Sequence, residues 1–275
     1  MTKITMMRLI IISVLALGAT LGAVAVNDLK PHPKPSCVEA RQPFTYTLCQ
    51  FNPKANTQLR LVWQGANHQP LLTFNQLRQY LASPTTSTHW QSKSQADQTK
   101  PQTLLFGMNA GMYDEKFAPI GYTVINGKEI RSLNLKQGGG NFHLMPNGVF
   151  WWDKTGFYVT ESNAMAKLLQ AGKKPLYATQ SGPMLVINGK IHPSFDPKST
   201  SYKMRNGVGV CRDGQVKLVI SDTPVSFYQF ANVFKTQLGC DNALFLDGGQ
   251  ASALYSQELQ RNDSEYMGVM VVGVN

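Results

Sequence analysis

The chain has 275 residues, with 26 Lys and Arg against 16 Asp and Glu, for a formal net charge of +10. No basic run exceeds two residues, and basic and aromatic residues are interleaved on no stretch, so the charge reads as scattered solvated lysines and nucleic acid is excluded as a partner. Internal repeats and coiled-coil periods are also absent.

The N-terminus reads in the order an export signal requires. Lys3 and Arg8 form a positive start, and an uncharged apolar run over residues 9–26 follows. Ala23 and Ala25 then offer a small-residue cleavage pattern. Residues 1–25 are therefore expected to be a signal peptide. Their removal takes two of the 26 basic residues and leaves 24 against 16 acidic ones. The alternative is an uncleaved anchor, with residues 9–26 as a membrane tether, because the run approaches the roughly 18 to 20 residues that span a bilayer. Residues 26–36 are rich in Pro and Lys and carry no core pattern, as in a linker. A single globular domain is expected over residues 37–275.

Alternation of apolar and polar residues predicts strands in residues 44–51 (FTYTLCQF) and 57–64 (TQLRLVWQ). Leu72, Leu77 and Leu81, with Phe74 and Tyr80, form one apolar face of a short helix over residues 71–81. Residues 83–102 are polar and nearly free of aliphatics, which predicts an exposed loop. Short β-rich runs then alternate with turns. Asn126-Gly127, Asn188-Gly189 and Asp213-Gly214 each sit between apolar runs, the strongest short-range hairpin signal. Helices are predicted over residues 161–171 and 226–238, the second stopped by Gly239. Many hairpins and few helices, without regular βαβ alternation, give an α+β fold with mixed, largely antiparallel sheets. The four cysteines suit an oxidising compartment and allow two disulfides in three connectivities, among them Cys37 with Cys49 and Cys211 with Cys240. Their spacing forms no metal-binding cluster.

Five segments place polar residues and glycine where a purely structural β-protein has no need of them. Asn109 lies between Gly107 and Gly111 at the end of the run TLLF, and its amide can both donate and accept. Gly138, Gly139 and Gly140 follow Gln137, and such a run can form an anion nest. Ser181 in TQSGP lacks the GxSxG context of an acylated nucleophile, so it reads as a hydrogen-bond donor. Arg205 opens the strand RNGVGV, where its planar fork matches a phosphate. Asp247, at the end of ALFLDGG, presents a carboxylate beside the open backbone of Gly248 and Gly249. Each also has a plain structural reading as a turn, flexible loop or surface ion pair.

Six motifs, NAGMY, GGGNFHLMPNGVFWW, ATQSGPMLVINGKIHP, RNGVGV, SFYQFANVF and LGCDNALFLDGG, run in one order and together resemble the phosphodiester glycosidase family, in particular its bacterial exported branch. The resemblance covers roughly residues 104–255. It implies a hydrolase that cleaves the bond between a sugar's anomeric carbon and a phosphate bridge, acting on a phosphate-linked glycan without a cofactor. It also implies a site gathering Asn109, Ser181, Arg205, Asp247 and Gly248. The family's motif often continues DGGGS, whereas this chain has Gly249-Gln250-Ala251-Ser252 after Gly248. In the implied mechanism Asp247 is base or nucleophile, Arg205 holds phosphate, and Asn109 and Ser181 orient the substrate. His143 and His192 are candidate proton carriers, and Asp222 is a reserve carboxylate that could equally cap the following helix. The other classes are a non-catalytic module binding anionic glycan and a hydrolase of a different bond.

Overall fold

The computed structural model describes residues 35–54, 57–83 and 101–275. The expected signal or anchor and most of the linker lie outside the described residues, as do residues 84–100 of the loop expected over 83–102. Among the described residues no helix is long and apolar enough to cross a membrane.

In chain order the elements begin with strands β1 (Ser36–Ala40), β2 (Tyr46–Phe51) and β3 (Gln58–Val62), then helix α1 (Phe74–Ala82). Strands β4 (Leu104–Asn109), β5 (Thr123–Ile125), β6 (Lys128–Arg131), β7 (Gly148–Asp153) and β8 (Gly156–Glu161) precede α2 (Ser162–Gln170). Next come β9 (Tyr177–Ser181), β10 (Met184–Ile187), β11 (Lys190–Ile191), β12 (Asn206–Cys211) and β13 (Val216–Ser221). Helix α3 (Phe227–Asn232) continues into a wider π-type segment, Val233–Gln237. Strands β14 (Cys240–Phe245), β15 (Leu254–Ser256), β16 (Arg261–Asn262) and β17 (Met270–Val274) complete the domain.

The turns explain much of this order. Asn126 and Gly127 join β5 to β6 with φ of 52° and 76°, and Asn188 and Gly189 join β10 to β11 with 48° and 75°. Two successive positive φ values match the right-handed twist of the paired strands, and Asn-Gly reaches them at low cost. The helices start at polar caps. Thr73 accepts from Gln76 N, the Glu161 carboxylate accepts from Asn163 N and Ala164 N, and Ser226 with Gln229 forms a reciprocal capping box.

The strands form three sheets with antiparallel pairing throughout. The first runs β1-β2-β13-β12-β14-β10-β11, the second β16-β15-β4-β17-β3 and the third β6-β5-β9-β7-β8. Successive residues of a strand point to opposite faces, so one strand can feed two cores. In β14, Leu244 faces a central core with Phe106, Phe150 and Val271, while Ala243 and Phe245 face Phe230 and Phe234 of the α3 region. Val272 in the second sheet packs towards Phe74 and Leu77 of α1, and Trp151 in the third towards Met165 of α2. Each sheet thus gives one face to a shared core and has the other covered by a helix. Burial of each large side chain in these layers contributes about 1.5–3 kcal/mol.

Strand β1 was not legible as a strand. Its sequence SCVEA carries no clear alternation, and it is held as an edge by the Cys37–Cys49 disulfide between facing residues of β1 and β2. Cys211 and Cys240, facing each other across β12 and β14, form the second disulfide. Alternation in β2 also misleads about solvent, since all six residues are buried, Thr47 and Gln50 included.

Candidate active site where three sheets meet

Asn109 is the last residue of β4, Ser181 the last of β9 and Asn206 the first of β12; Asp247 follows β14 by two positions. These belong to three different sheets, and their side chains converge on one stretch of backbone, Leu246-Asp247. Asn109 Nδ2 donates to the Asp247 carbonyl at 2.7 Å. Asn206 Oδ1 accepts the Asp247 N–H at 3.0 Å, and Asn206 Nδ2 donates to Asn109 Oδ1 at 2.6 Å. Asn109 Oδ1 also accepts from Ala253 N at 3.0 Å. The Ser181 hydroxyl donates to the Leu246 carbonyl. Asn109, Ser181 and Asn206 are all buried, so these bonds form away from competing water and fix the peptide closely.

The carboxyl carried by that peptide is half-buried. Burial pushes its pKa up to about 7, partly offset by the Gly248 N–H that donates to it. Asp247 therefore exchanges its proton near neutrality. Its charge is also felt by Tyr113, whose phenol is raised by burial and by that carboxylate.

The two glycines after it are needed for different reasons. A Cβ on Gly248 would stand 2.6 Å from the Met204 carbonyl, whereas Gly249 faces open space but has φ +69°. Gly249 N donates to Met204 O at 2.9 Å, which tucks the turn against the segment preceding β12.

The Arg205 backbone lies at the start of β12, beside this turn, and its side chain is 2% exposed. Nε donates to Val225 O at 2.8 Å and Nη2 to Ser201 O at 3.1 Å, while the guanidinium lies 3.5 Å from the centre of the Phe227 ring. Among the described residues no carboxylate is within ion-pair distance of it. Desolvation lowers its pKa to about 10, so it stays cationic at neutral pH.

Several sequence expectations change here. Asn109 and Ser181, expected to orient substrate, are instead engaged with the backbone that carries Asp247. Gly139 and Gly140 are exposed, but they do not form the expected nest. Gly140 has φ 78° and ψ 179°, a glycine-only extended conformation, and neither Gly138 nor Gly139 supplies the left-handed member that a nest requires. The turn that follows them leans on the site, with the Phe142 carbonyl 2.9 Å from where a Gly182 Cβ would be. His143 contacts Lys136 O through Nδ1 at 2.9 Å. His192 is no proton carrier: it is 1% exposed, Nε2 faces Met145 O at 3.1 Å and Nδ1 accepts from Ser194 N at 3.1 Å. These partners fix the neutral tautomer, and burial lowers its pKa. Asp222 neither caps α3 nor serves as a spare carboxylate. It pairs with Arg261 at 2.6 Å and accepts from the Thr47 hydroxyl at 2.9 Å, while Ser226 caps the helix.

Asn206 joins this network although the motif RNGVGV points first to its neighbour Arg205. Asn is depleted in strands, and one opening a strand of Val and Gly was the available signal. Among the described residues no group of three or more His, Cys, Asp or Glu is arranged to hold a metal ion.

The family model described as phosphodiester glycosidase matches residues 102–270, a span that contains every residue of this network. The uncharacterized protein YigE of Escherichia coli (strain K12) is 33% identical over 230 residues, which cover 83% of this chain and 78% of that protein. Among solved structures, the catalytic domain of zebrafish N-acetylglucosamine-1-phosphodiester alpha-N-acetylglucosaminidase, auto-inhibited by its pro-peptide, is similar with a TM-score of 0.55. The match has 15% identity and covers 86% of this chain and 80% of that one. A hypothetical protein from Synechocystis gives a TM-score of 0.53 at 15% identity over 87% of this chain and 61% of its own. A putative exported protein from Burkholderia pseudomallei gives 0.51 at 12% identity over 83% and 73%.

Proposed function

Because this chain belongs to the phosphodiester glycosidase family, we propose that it is an exported hydrolase of sugar-1-phosphodiesters, acting on a phosphate-linked glycan of the envelope or the medium. The observation that carries this reading is the Asp247 carboxyl, half-buried, raised to about 7 and fixed at its backbone by groups from three sheets.

The chemistry needs little more than one such group. Ordinary glycosidases use a second carboxylic acid to protonate a poor alkoxide leaving group. Here the leaving group is a phosphate monoester, stable as an anion, so no general acid is required. Asp247 takes a proton from water as the water oxygen bonds to the anomeric carbon. The bond from that carbon to the bridging oxygen breaks, and the phosphate leaves with the electron pair. A base with a pKa near the working pH combines a useful ionised fraction with proton affinity. Arg205, the residue before β12, provides a buried cation next to Asn206 and uses two of its five donors on carbonyls. In this reading its charge and remaining donors favour the departing phosphate. The pairing of all four cysteines supports an oxidising compartment.

The test is to incubate the protein with methyl phosphodiesters of glucose and of N-acetylglucosamine linked through C1. Free sugar and methyl phosphate are the expected products, with the anomer formed first inverted relative to the substrate. Retention would transfer Asp247 to the nucleophile role. Binding of these compounds without turnover would favour an anionic-glycan-binding module, and cleavage on the methyl side of phosphorus would indicate another bond.

A further inference from the structure

An aromatic shelf lies just beyond the end of β4, the strand whose Asn109 holds the Asp247 carbonyl. Four residues beyond Asn109, Tyr113 stacks on Phe117 with ring centroids 5.3 Å apart and planes at 27°. Phe117 in turn meets Tyr266 edge-on at 6.2 Å. Tyr266 is 61% exposed, the most open of the large apolar side chains described as exposed. The shelf is built, not incidental. The Tyr113 hydroxyl donates to the Tyr266 carbonyl at 2.9 Å, and Gly268 leaves room for Tyr113, since a Cβ there would lie 2.8 Å from the Tyr113 Cβ. Trp63 Nε1 donates to Phe117 O at 2.8 Å, and Asp114 Oδ1 takes the N–H groups of Lys116 and Ala118 at 2.9 and 3.0 Å. Phe117 itself is held at φ +60°, an unfavourable conformation for a bulky residue that persists only where its surroundings impose it.

Both ends of the shelf run into strands beside Asn109: Tyr113 follows it in the chain, and Tyr266 lies four residues before Met270, which pairs with Asn109 across β4 and β17. Asn109 holds the Asp247 carbonyl, and Met112, next to Tyr113, packs against the cluster that contains Phe245. The negative charge of Asp247 reaches the Tyr113 phenol. An exposed tyrosine ring backed by two half-buried aromatic rings suits a ligand with an apolar face and polar rim. A pyranose ring is such a ligand: its axial C–H bonds carry partial positive charge and favour the negative face of an aromatic ring.

We infer that the Tyr113–Phe117–Tyr266 shelf is the subsite on which the sugar ring of the phosphodiester stacks, placing its anomeric carbon at Asp247. This rests on the hydrolase reading above and adds which part of the protein selects the glycone.

The experiment measures binding apart from turnover. In Asp247→Asn, saturation-transfer NMR with the C1-linked methyl phosphodiesters of glucose and N-acetylglucosamine should show saturation from aromatic protons on the sugar ring. Adding Tyr266→Ala should remove that saturation, whereas Tyr266→Phe should keep it. In the otherwise unmodified protein, Tyr266→Ala should raise KM about tenfold with little change in kcat, the fold-change that corresponds to a contact worth about 1.4 kcal/mol. Tyr266 is exposed, and its bond to Tyr113 uses the backbone carbonyl, so the substitution leaves the folded frame intact. No ring saturation with either compound, or equal saturation and KM with and without the Tyr266 ring, overturns the shelf. Turnover by the unmodified protein with an indifferent Tyr266 rejects the shelf alone. Ring saturation without turnover keeps the shelf and rejects the hydrolase.

Discussion

The Asn109 side chain holds the carbonyl of Asp247 at 2.7 Å across 138 residues of sequence and from a different sheet. Asn206 closes the arrangement by donating to Asn109 and accepting from the Asp247 N–H. The carboxylate is therefore placed by the ends of strands, not by a loop free to rearrange, which is the condition for a preorganised catalytic group.

The pH profile follows from the raised carboxyl. Asp247 as a base must be ionised, so log(kcat/KM) should rise with slope one below about 7 and level off above it. Measurement from pH 5 to 9 with the C1-linked methyl phosphodiester checks this. A falling limb through 7 would give Asp247 the role of an acid.

Asp247→Asn should lower kcat by at least about a hundredfold and stabilise the fold at alkaline pH. The folded-state pKa lies near 7, above the ordinary 3.8, so the stability linked to protonation is fully present below about 3.8 and lost as pH rises through 7. The full difference corresponds to roughly 4 kcal/mol, and partial solvent contact reduces it to about 2 kcal/mol. For a domain of this size the melting temperature should rise by about 4–8 °C at pH 8, with the gap closing towards pH 4. Thermal denaturation at the two pH values tests the sign.

Asn206→Ala would leave the Asp247 N–H without its acceptor and remove a donor from Asn109, both in buried surroundings. The cost should be about 2–4 kcal/mol in denaturant unfolding. In folded variant protein kcat should fall with KM little changed, because the residue positions the carboxylate and is not placed to touch substrate. A rise confined to KM would contradict that.

The neighbouring glycines should respond differently. Gly248→Ala meets the Met204 carbonyl at 2.6 Å and should cost several kcal/mol with loss of turnover. Gly249→Ala has free space and a φ of +69°, so it should cost only about 1–2 kcal/mol. Comparing the two by melting temperature separates a steric from a conformational requirement.

Local physics alone determined much of this protein. Two consecutive positive-φ residues are cheap at Asn-Gly, so two hairpins were readable before any tertiary contact formed. Ser226 and Gly239 marked the ends of one helix, and the order of six motifs marked the family. Asp247 was legible because a carboxylate ending an apolar strand before two glycines has few structural uses. Tertiary structure decided the rest. Whether Asn109 faces a ligand or a backbone carbonyl depends on a partner 138 residues away. The sequence left Asp222 a choice of roles, and Arg261 of the second sheet settled it with an ion pair. It showed that several strands end in polar residues; only the packing of three sheets around one core brings those ends to the same peptide, because strand order and sheet packing are set by long-range burial and not by local propensity.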